Sequence, residues 1–369
     1  MMDPRIEKLA DVMVNYSLEL KEGQNVKIKG SPQALPLVKA FYKKALQAGA
    51  HPYYWPDIED LEELLYKHGS DAQLKYIPEI QKLEVDKMDA LLGIFARNNT
   101  KYLSNVDPSR QALAQSSRQS LMTRFMERAA AGELSWCGTM FPVHSAAQDA
   151  DMSLSEYEEF VFGAGHLNDD DPVAHWKAVS AKQSKICSFL ESLKEIKVKS
   201  KGTDLTVKVE GRKWENCDGK NNFPDGEVFT APHETSAEGE ILYSFPACYQ
   251  GHEVAGVKLK FKEGRVVDYS ADKNIGYLEK MIDMDDGARL IGEFAIGTNY
   301  NVQNFTKNIL FDEKIGGTMH IALGQAYPET GGKNKSGLHW DMVCDLREGG
   351  QLIGDGEVFY KDGKFIKDF

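Results

Sequence analysis

The sequence predicts a mixed α/β chain of two domains: an N-terminal βαβ-type sheet domain over residues 1–160, and an α+β domain over 161–369 built on a largely antiparallel sheet. Three observations carry this reading. Strand patterns alternate with helix patterns through the first half, as in βαβ units that build a parallel sheet. From about Asp169 the texture shifts to period-two alternation with glycine-containing turns, the mark of antiparallel strands with one wetter face. The 369 residues also exceed the ~100–200 of a typical single domain.

Taken in order, "MMDPRIEKLADVMVNYSLELKEG" is an amphipathic helix with Ile6, Leu9, Met13 and Leu20 among its apolar positions. "NVKIKG" is a short strand, Pro32–Ala48 a helix and "AHPYYW" a second strand, with helical patterns following from Ile58. "MDALLGIFA" is the near-continuous apolar run of a buried parallel strand. Pro108–Ala131 reads as one helix and "LSWCGTM" as the next strand. Asp171 and Pro172 then open a helix as N-cap and first helical residue. "IKVKSKGTDLTVKVEGR", "EGEILYSFPACYQG" and "HEVAGVKLKFKEGRVVDYSA" supply the alternating strands that follow.

Composition narrows the function classes. Hydrophobic residues at 42% and charged residues at 27% are a globular balance. A net charge of −12 argues against a nucleic-acid partner, which would need a basic surface. The start is too charged for a signal peptide, and no apolar run reaches the ~18–20 residues that cross a bilayer, so no membrane association is expected. Cys137, Cys187, Cys217, Cys248 and Cys344 are odd in number and lack any C-x-x-C, which fits free thiols in a cytoplasmic location.

Three motifs attract attention and carry nothing. "FGAGHLN" lacks the third glycine of a dinucleotide fingerprint and follows a helical stretch instead of a strand. "HETSAE" resembles a zincin helix, but the position four after His233 is Ala237. The acids of "GHLNDDDPVAH" are accounted for by the helix start at Asp171.

The C-terminal third is different. In "GLHWDMVCDL", His339 and Asp341 share one strand face, while Trp340, Met342, Cys344 and Leu346 share the other. "GGTMHIALGQAY" repeats the pattern: Met319, Ile321 and Leu323 on one face, His320 on the other beside the small Thr318 and Ala322. Glu227 follows an Asp-Gly turn in "FPDGEVFTAP", and Glu293 lies in the apolar "RLIGEFAIG". A carboxylate in such a run costs several kcal/mol unless it is paired or bound to metal. Each residue alone is better read as an ordinary buried or ion-paired side chain; the five together suit a metal site if they converge. Three carboxylates and two neutral imidazoles would balance two divalent cations and one bridging hydroxide. Mixed N/O ligation without thiolates suits zinc, cobalt or manganese. Two such ions would generate a hydroxide nucleophile and polarise a carbonyl or phosphoryl oxygen.

The blocks "GRKWENCDGKNNFPDGEVFTAP", "IGEFAIGTN", "DEKIGGTMHIALGQAYPETGG" and "LHWDMVCDL" make the chain resemble the aminopeptidase T / aminopeptidase S (PepS-like) metallo-aminopeptidases, most specifically over Gly211–Leu346. The resemblance implies a dinuclear-metal exopeptidase acting on peptides with a free N-terminus, with an enclosed site and a homodimeric assembly. It implies Glu227, Glu293 (bridging), His320, His339 and Asp341 as metal ligands and Tyr327 as a residue close to the metals. It leaves Glu313 as a general base or an additional ligand. His233 departs from the family pattern, where an acidic or apolar residue is expected, and bears on substrate lining. Tyr327 or a cation is expected to stabilise the oxyanion and Glu313 to move the proton to the leaving amine, with Lys333 and Lys335 of "GGKNKSG" better read as solvated loop charges. Two rivals stand beside this. A dinuclear phosphoesterase would carry G-D-x-H-G or G-N-H loops, absent here, and a non-catalytic metal- or peptide-binding protein would not need Tyr327.

Overall fold

The computed structural model describes residues 3–369, which form two compact units, residues 3–173 with 219–224 and residues 174–218 with 225–369. The first unit is built on a five-stranded parallel sheet in the order His51–Pro56, Asn25–Gly30, Ala90–Phe95, Ser135–Met140, Asn222–Phe223. Val26, Ile28, Ala90 and Leu92 are fully buried, as the apolar runs of these strands require. The first helix runs from Pro4 to Val12, capped by the Asp3 side chain on the Arg5 N–H, and its last turn widens to a π-helix over Met13–Ser17. The single helix expected over Pro108–Ala131 is instead two, Pro108–Ser117 and Gln119–Ala130. Arg118 between them leaves helical geometry at ψ 0°, and its guanidinium bonds the Ala114 carbonyl, satisfying an end group of the first helix.

The second unit contains two larger antiparallel sheets and a small hairpin, Ala247–Tyr249 with His252–Val254. One sheet has eight strands, ordered Arg265–Ser270, Lys258–Lys262, Glu238–Leu242, Thr203–Lys208, Glu195–Ser200, Gln351–Gly354, Glu357–Lys361 and Lys364–Phe365. The other has five: His339–Asp345, Thr318–Gly324, Ile291–Gly297, Glu227–Thr230 and Glu215–Cys217. A single apolar cluster draws on both. Ile196, Val198, Leu205, Val207, Leu259 and Leu352 come from the eight-stranded sheet, and Val228, Phe294, Ile321, Leu323, Trp340, Met342 and Cys344 from the five-stranded one. Since strand side chains alternate, committing one face of the five-stranded sheet to this core turns the intervening residues to its other face.

Candidate metal centre

The register of the five-stranded sheet sets the polar residues side by side. Ala322 pairs with Asp341 on one side and with Glu293 on the other, Gly324 pairs with His339, and His320 pairs with Ala295. Directly opposed residues point the same way, so Glu293, His320, His339 and Asp341 share the face opposite the core. Glu227 joins them from the next strand, paired with Gly297. The turn before it depends on Gly226 at φ 120°, where a Cβ would lie 2.7 Å from that of Asn299.

All five sequence-predicted donors converge. His320 Nε2 lies 3.6 Å from Glu227 Oε2, 3.5 Å from Glu293 Oε1 and 4.0 Å from Asp341 Oδ1. His339 Nε2 lies 3.4 Å from Glu293 Oε2 and 3.7 Å from Asp341 Oδ1. Glu227, Glu293 and His320 form one buried group of donor atoms, and Glu293, His339 and Asp341 form a second. Glu293 belongs to both. Glu313, at the end of the short helix Ile309–Asp312, reaches a third group with His320 and Asp341.

Two members had no signal in the sequence reading. Lys314 is fully buried, and its ammonium contacts Glu313, Glu227 Oε1 at 3.4 Å and Asp225 Oδ1 at 3.7 Å. Burial would lower its pKa, but Glu227, Glu313 and Asp225 together raise it, so it stays charged. Asp225 in "FPDG" reads from sequence as an ordinary turn residue, and Lys314 in "DEKIGG" as a loop charge. Only the tertiary fold gives either a partner.

The cluster's own side chains do not satisfy all of its buried polar atoms. Glu227 Oε2, Asp341 Oδ1 and both ring nitrogens of His320 are buried with no hydrogen-bond partner among the described residues. Each such orphan costs about 1–3 kcal/mol, and a cation bound among them would relieve several at once. The oxygen and imidazole donor set therefore fits a divalent metal. Burial raises Glu227 and Asp341 above the usual carboxylate range. It would raise Glu293 too, but the imidazoles of His320 and His339, facing it at 3.5 and 3.4 Å, hold that carboxyl down. Burial disfavours both imidazolium ions, yet Glu293 and its neighbours lift His320 to about 9 and His339 to about 10.

Tyr327 stands at the rim, 38% exposed, its ring 5.1 Å from that of Phe229 and 5.2 Å from that of His339. Desolvation and the carboxylates of Glu293 and Asp341 raise its phenol pKa, so the hydroxyl keeps its proton. Phe229, two residues after Glu227 on the same strand face, was not singled out from sequence, although the i, i+2 spacing places it there. His233 is exposed and its ring nitrogen meets the Glu210 carbonyl at 2.9 Å, so it is engaged away from the donor groups. Lys333 and Lys335 are exposed.

A buried acid–imidazole cluster on one face of an antiparallel sheet is the architecture of a hydrolytic metalloenzyme. Residues 2–365 match the family described as "Thermophilic metalloprotease (M29)", and the chain belongs to that family. It is a metal-dependent hydrolase of peptide bonds. Among its relatives are aminopeptidase 2 of Geobacillus stearothermophilus, 28% identical over 98% of this chain and 95% of that protein, and aminopeptidase T of Thermus aquaticus, 28% identical over 93% of each. The solved structure of wild-type AmpT from Thermus thermophilus superposes with a TM-score of 0.87, covering all of both chains at 24% identity, and so shares the fold.

Proposed function

We propose that this chain is an aminopeptidase that removes the first residue from peptides with a free N-terminus, at a centre of two divalent ions held by Glu227, Glu293, His320, His339 and Asp341. The observation that carries it is the convergence of these donors into two groups sharing Glu293, together with aminopeptidase names on relatives matched over 93–95% of their length. Zinc, cobalt or manganese suits the donors. When bound, such ions act as Lewis acids that polarise a carbonyl and acidify water.

The chain's own residues do the rest. Glu313 lies within donor distance of His320 and Asp341 and is steadied by Lys314, so its carboxylate can take the proton of the attacking water and pass it to the leaving amine. The protonated Tyr327 hydroxyl supplies a hydrogen bond to the oxyanion that develops on the scissile carbonyl. Phe229 and the Tyr327 ring form an apolar wall beside the cluster, which suits the side chain of a peptide's first residue.

A cytoplasmic setting accords with five scattered cysteines that lack any C-x-x-C, and among the described residues no helix is long and apolar enough to cross a membrane. The homodimer follows the family resemblance, and sedimentation giving the 41.3 kDa mass of one chain would overturn it.

The direction of attack is tested with paired substrates. Productive positioning is worth ~7–11 kcal/mol in well-oriented systems. Acetylating the α-amine removes its charge and lone pair and adds bulk. Free-amine dipeptides and aminoacyl anilides should turn over at least ~100-fold faster than N-acetylated versions, a gap of ~2.7 kcal/mol. Cleavage of blocked peptides at internal bonds, at rates similar to free ones, would show an endopeptidase.

A further inference from the structure

Lys314 is among the largest fully buried side chains of the described residues, and it is the only lysine among the buried polar and charged ones. Its ammonium sits among three carboxylates, Asp225, Glu227 and Glu313. Glu227 divides its two oxygens: Oε1 faces Lys314 at 3.4 Å, while Oε2 turns to His320 at 3.6 Å and has no hydrogen-bond partner. Cys217 also lies within donor distance of Asp225 and Glu227, but the ammonium already holds the cation position among these acids.

Charge balance points the same way. The cluster gathers five carboxylates, Asp225, Glu227, Glu293, Glu313 and Asp341. Lys314 offsets Asp225, and Glu313 supplies the fourth negative charge that the five ligands alone would take from a hydroxide, so the cluster matches two divalent cations when both imidazoles are neutral.

We propose that Lys314 is a positioning residue that fixes Glu227 as a one-oxygen ligand and fills the third cation position of the cluster, so that it governs one metal of the pair and not the other. The inference rests on the two-ion reading above. It is asymmetric because Glu227, of the Glu227–Glu293–His320 group, is the one proposed ligand of the five that Lys314 contacts; its route toward Asp341 runs through Glu313, assigned above to proton transfer, and no ion pair links it to Glu293, His339 or Asp341. Residues that orient a metal-ligating carboxylate typically change metal affinity 10–100-fold when removed. Global loosening of the fold would weaken both ions together.

The test is titration calorimetry of the metal-stripped full chain with cobalt, with the visible absorption of the bound ion as a second readout. Wild type should take up two ions. Lys314→Met should retain one within about threefold of wild-type affinity and bind the other 10–100-fold more weakly. If Lys314→Met fails to fold, Lys314→Arg serves: its forked head engages both carboxylate oxygens, and it should weaken the same single ion. Two ions bound by either folded variant with wild-type affinities, or both weakened equally, overturn the inference while leaving the two-ion site standing. A wild-type chain that binds a single ion overturns both.

Discussion

His339 Nδ1 lies 2.9 Å from the backbone carbonyl of Gln325, and this contact decides which way the imidazole faces. A ring that donates from Nδ1 presents Nε2 as the acceptor, and Nε2 is the atom 3.4 Å from Glu293 Oε2. The carbonyl is itself held: Gln325 N–H donates to Leu338 O at 2.7 Å, and Gln325 Oε1 accepts from Ser336 N at 3.1 Å. The tautomer a metal would need is thus set by a backbone carbonyl that the main chain and the Gln325 side chain hold in place.

His339→Ala and Asp341→Ala should each reduce turnover to background. Both side chains project from the sheet face away from the core, so folding should change little. Steady-state rates on a leucyl anilide, paired with thermal melting, check this. Near-wild-type rates in either variant would remove that residue from the ligand set.

Acidity should weaken metal binding steeply. With His320 raised to about 9 and His339 to about 10, an ion binding near neutrality must displace a proton from each ring. Loss of two protons makes apparent affinity fall by up to about 100-fold per pH unit below pH ~9. The metal-free protein should show the opposite trend. Both folded pKa values exceed the ordinary histidine value of 6.5, so the stability they contribute is fully present below pH 6.5 and lost as pH rises through 9 to 10. Calorimetry in buffers of different ionisation enthalpy counts the released protons. Affinity that is flat between pH 6 and 8 would contradict this account.

Much of the fold, and the strand face of each candidate donor, was legible because both follow from short-range rules. Alternation alone assigned Trp340, Met342 and Cys344 to the core and His339 and Asp341 to the opposite face, and all three apolar residues are buried at 1% exposure. Composition likewise announced the apolar strand Ala90–Phe95. What stayed hidden was non-local. Lys314 and Asp225 acquire meaning only when Glu227, nearly ninety residues from Lys314, is folded beside them. The excursion of residues 219–224 into the first unit rests on the pairing of Asn222 and Phe223 with Gly138 and Thr139, and two-residue strands have no periodicity to read. The break at Arg118 was invisible because no glycine or proline marks it.

Cys344 should be a packing residue with no part in metal binding. It pairs with Met319 across the core face and is 1% exposed, and burial pushes its thiol up to about 12, where it is inert at neutral pH. Cys344→Ala should cost on the order of 1 kcal/mol in denaturant unfolding and leave metal content unchanged. Loss of metal with the fold intact would mean that the strand faces the other way.

Tyr327 makes the most specific demand on the mechanism. Its ring is held between Phe229 and His339, contacts that a phenylalanine would keep, so Tyr327→Phe isolates the hydroxyl. Were the hydroxyl bound to the ground-state carbonyl, its loss would raise KM and leave kcat alone. Assigned to the developing oxyanion, its loss should lower kcat with little change in KM, because the interaction strengthens only in the transition state. Removing one such donor elsewhere costs roughly 10²–10³ in kcat. A half-exposed rim position places the expectation near the lower figure, about 100-fold. Metal content should match wild type, since a phenol that keeps its proton is a poor metal ligand. A Tyr327→Phe protein with unchanged kcat and a raised KM would assign the hydroxyl to substrate binding, and one that had lost an ion would make Tyr327 a ligand.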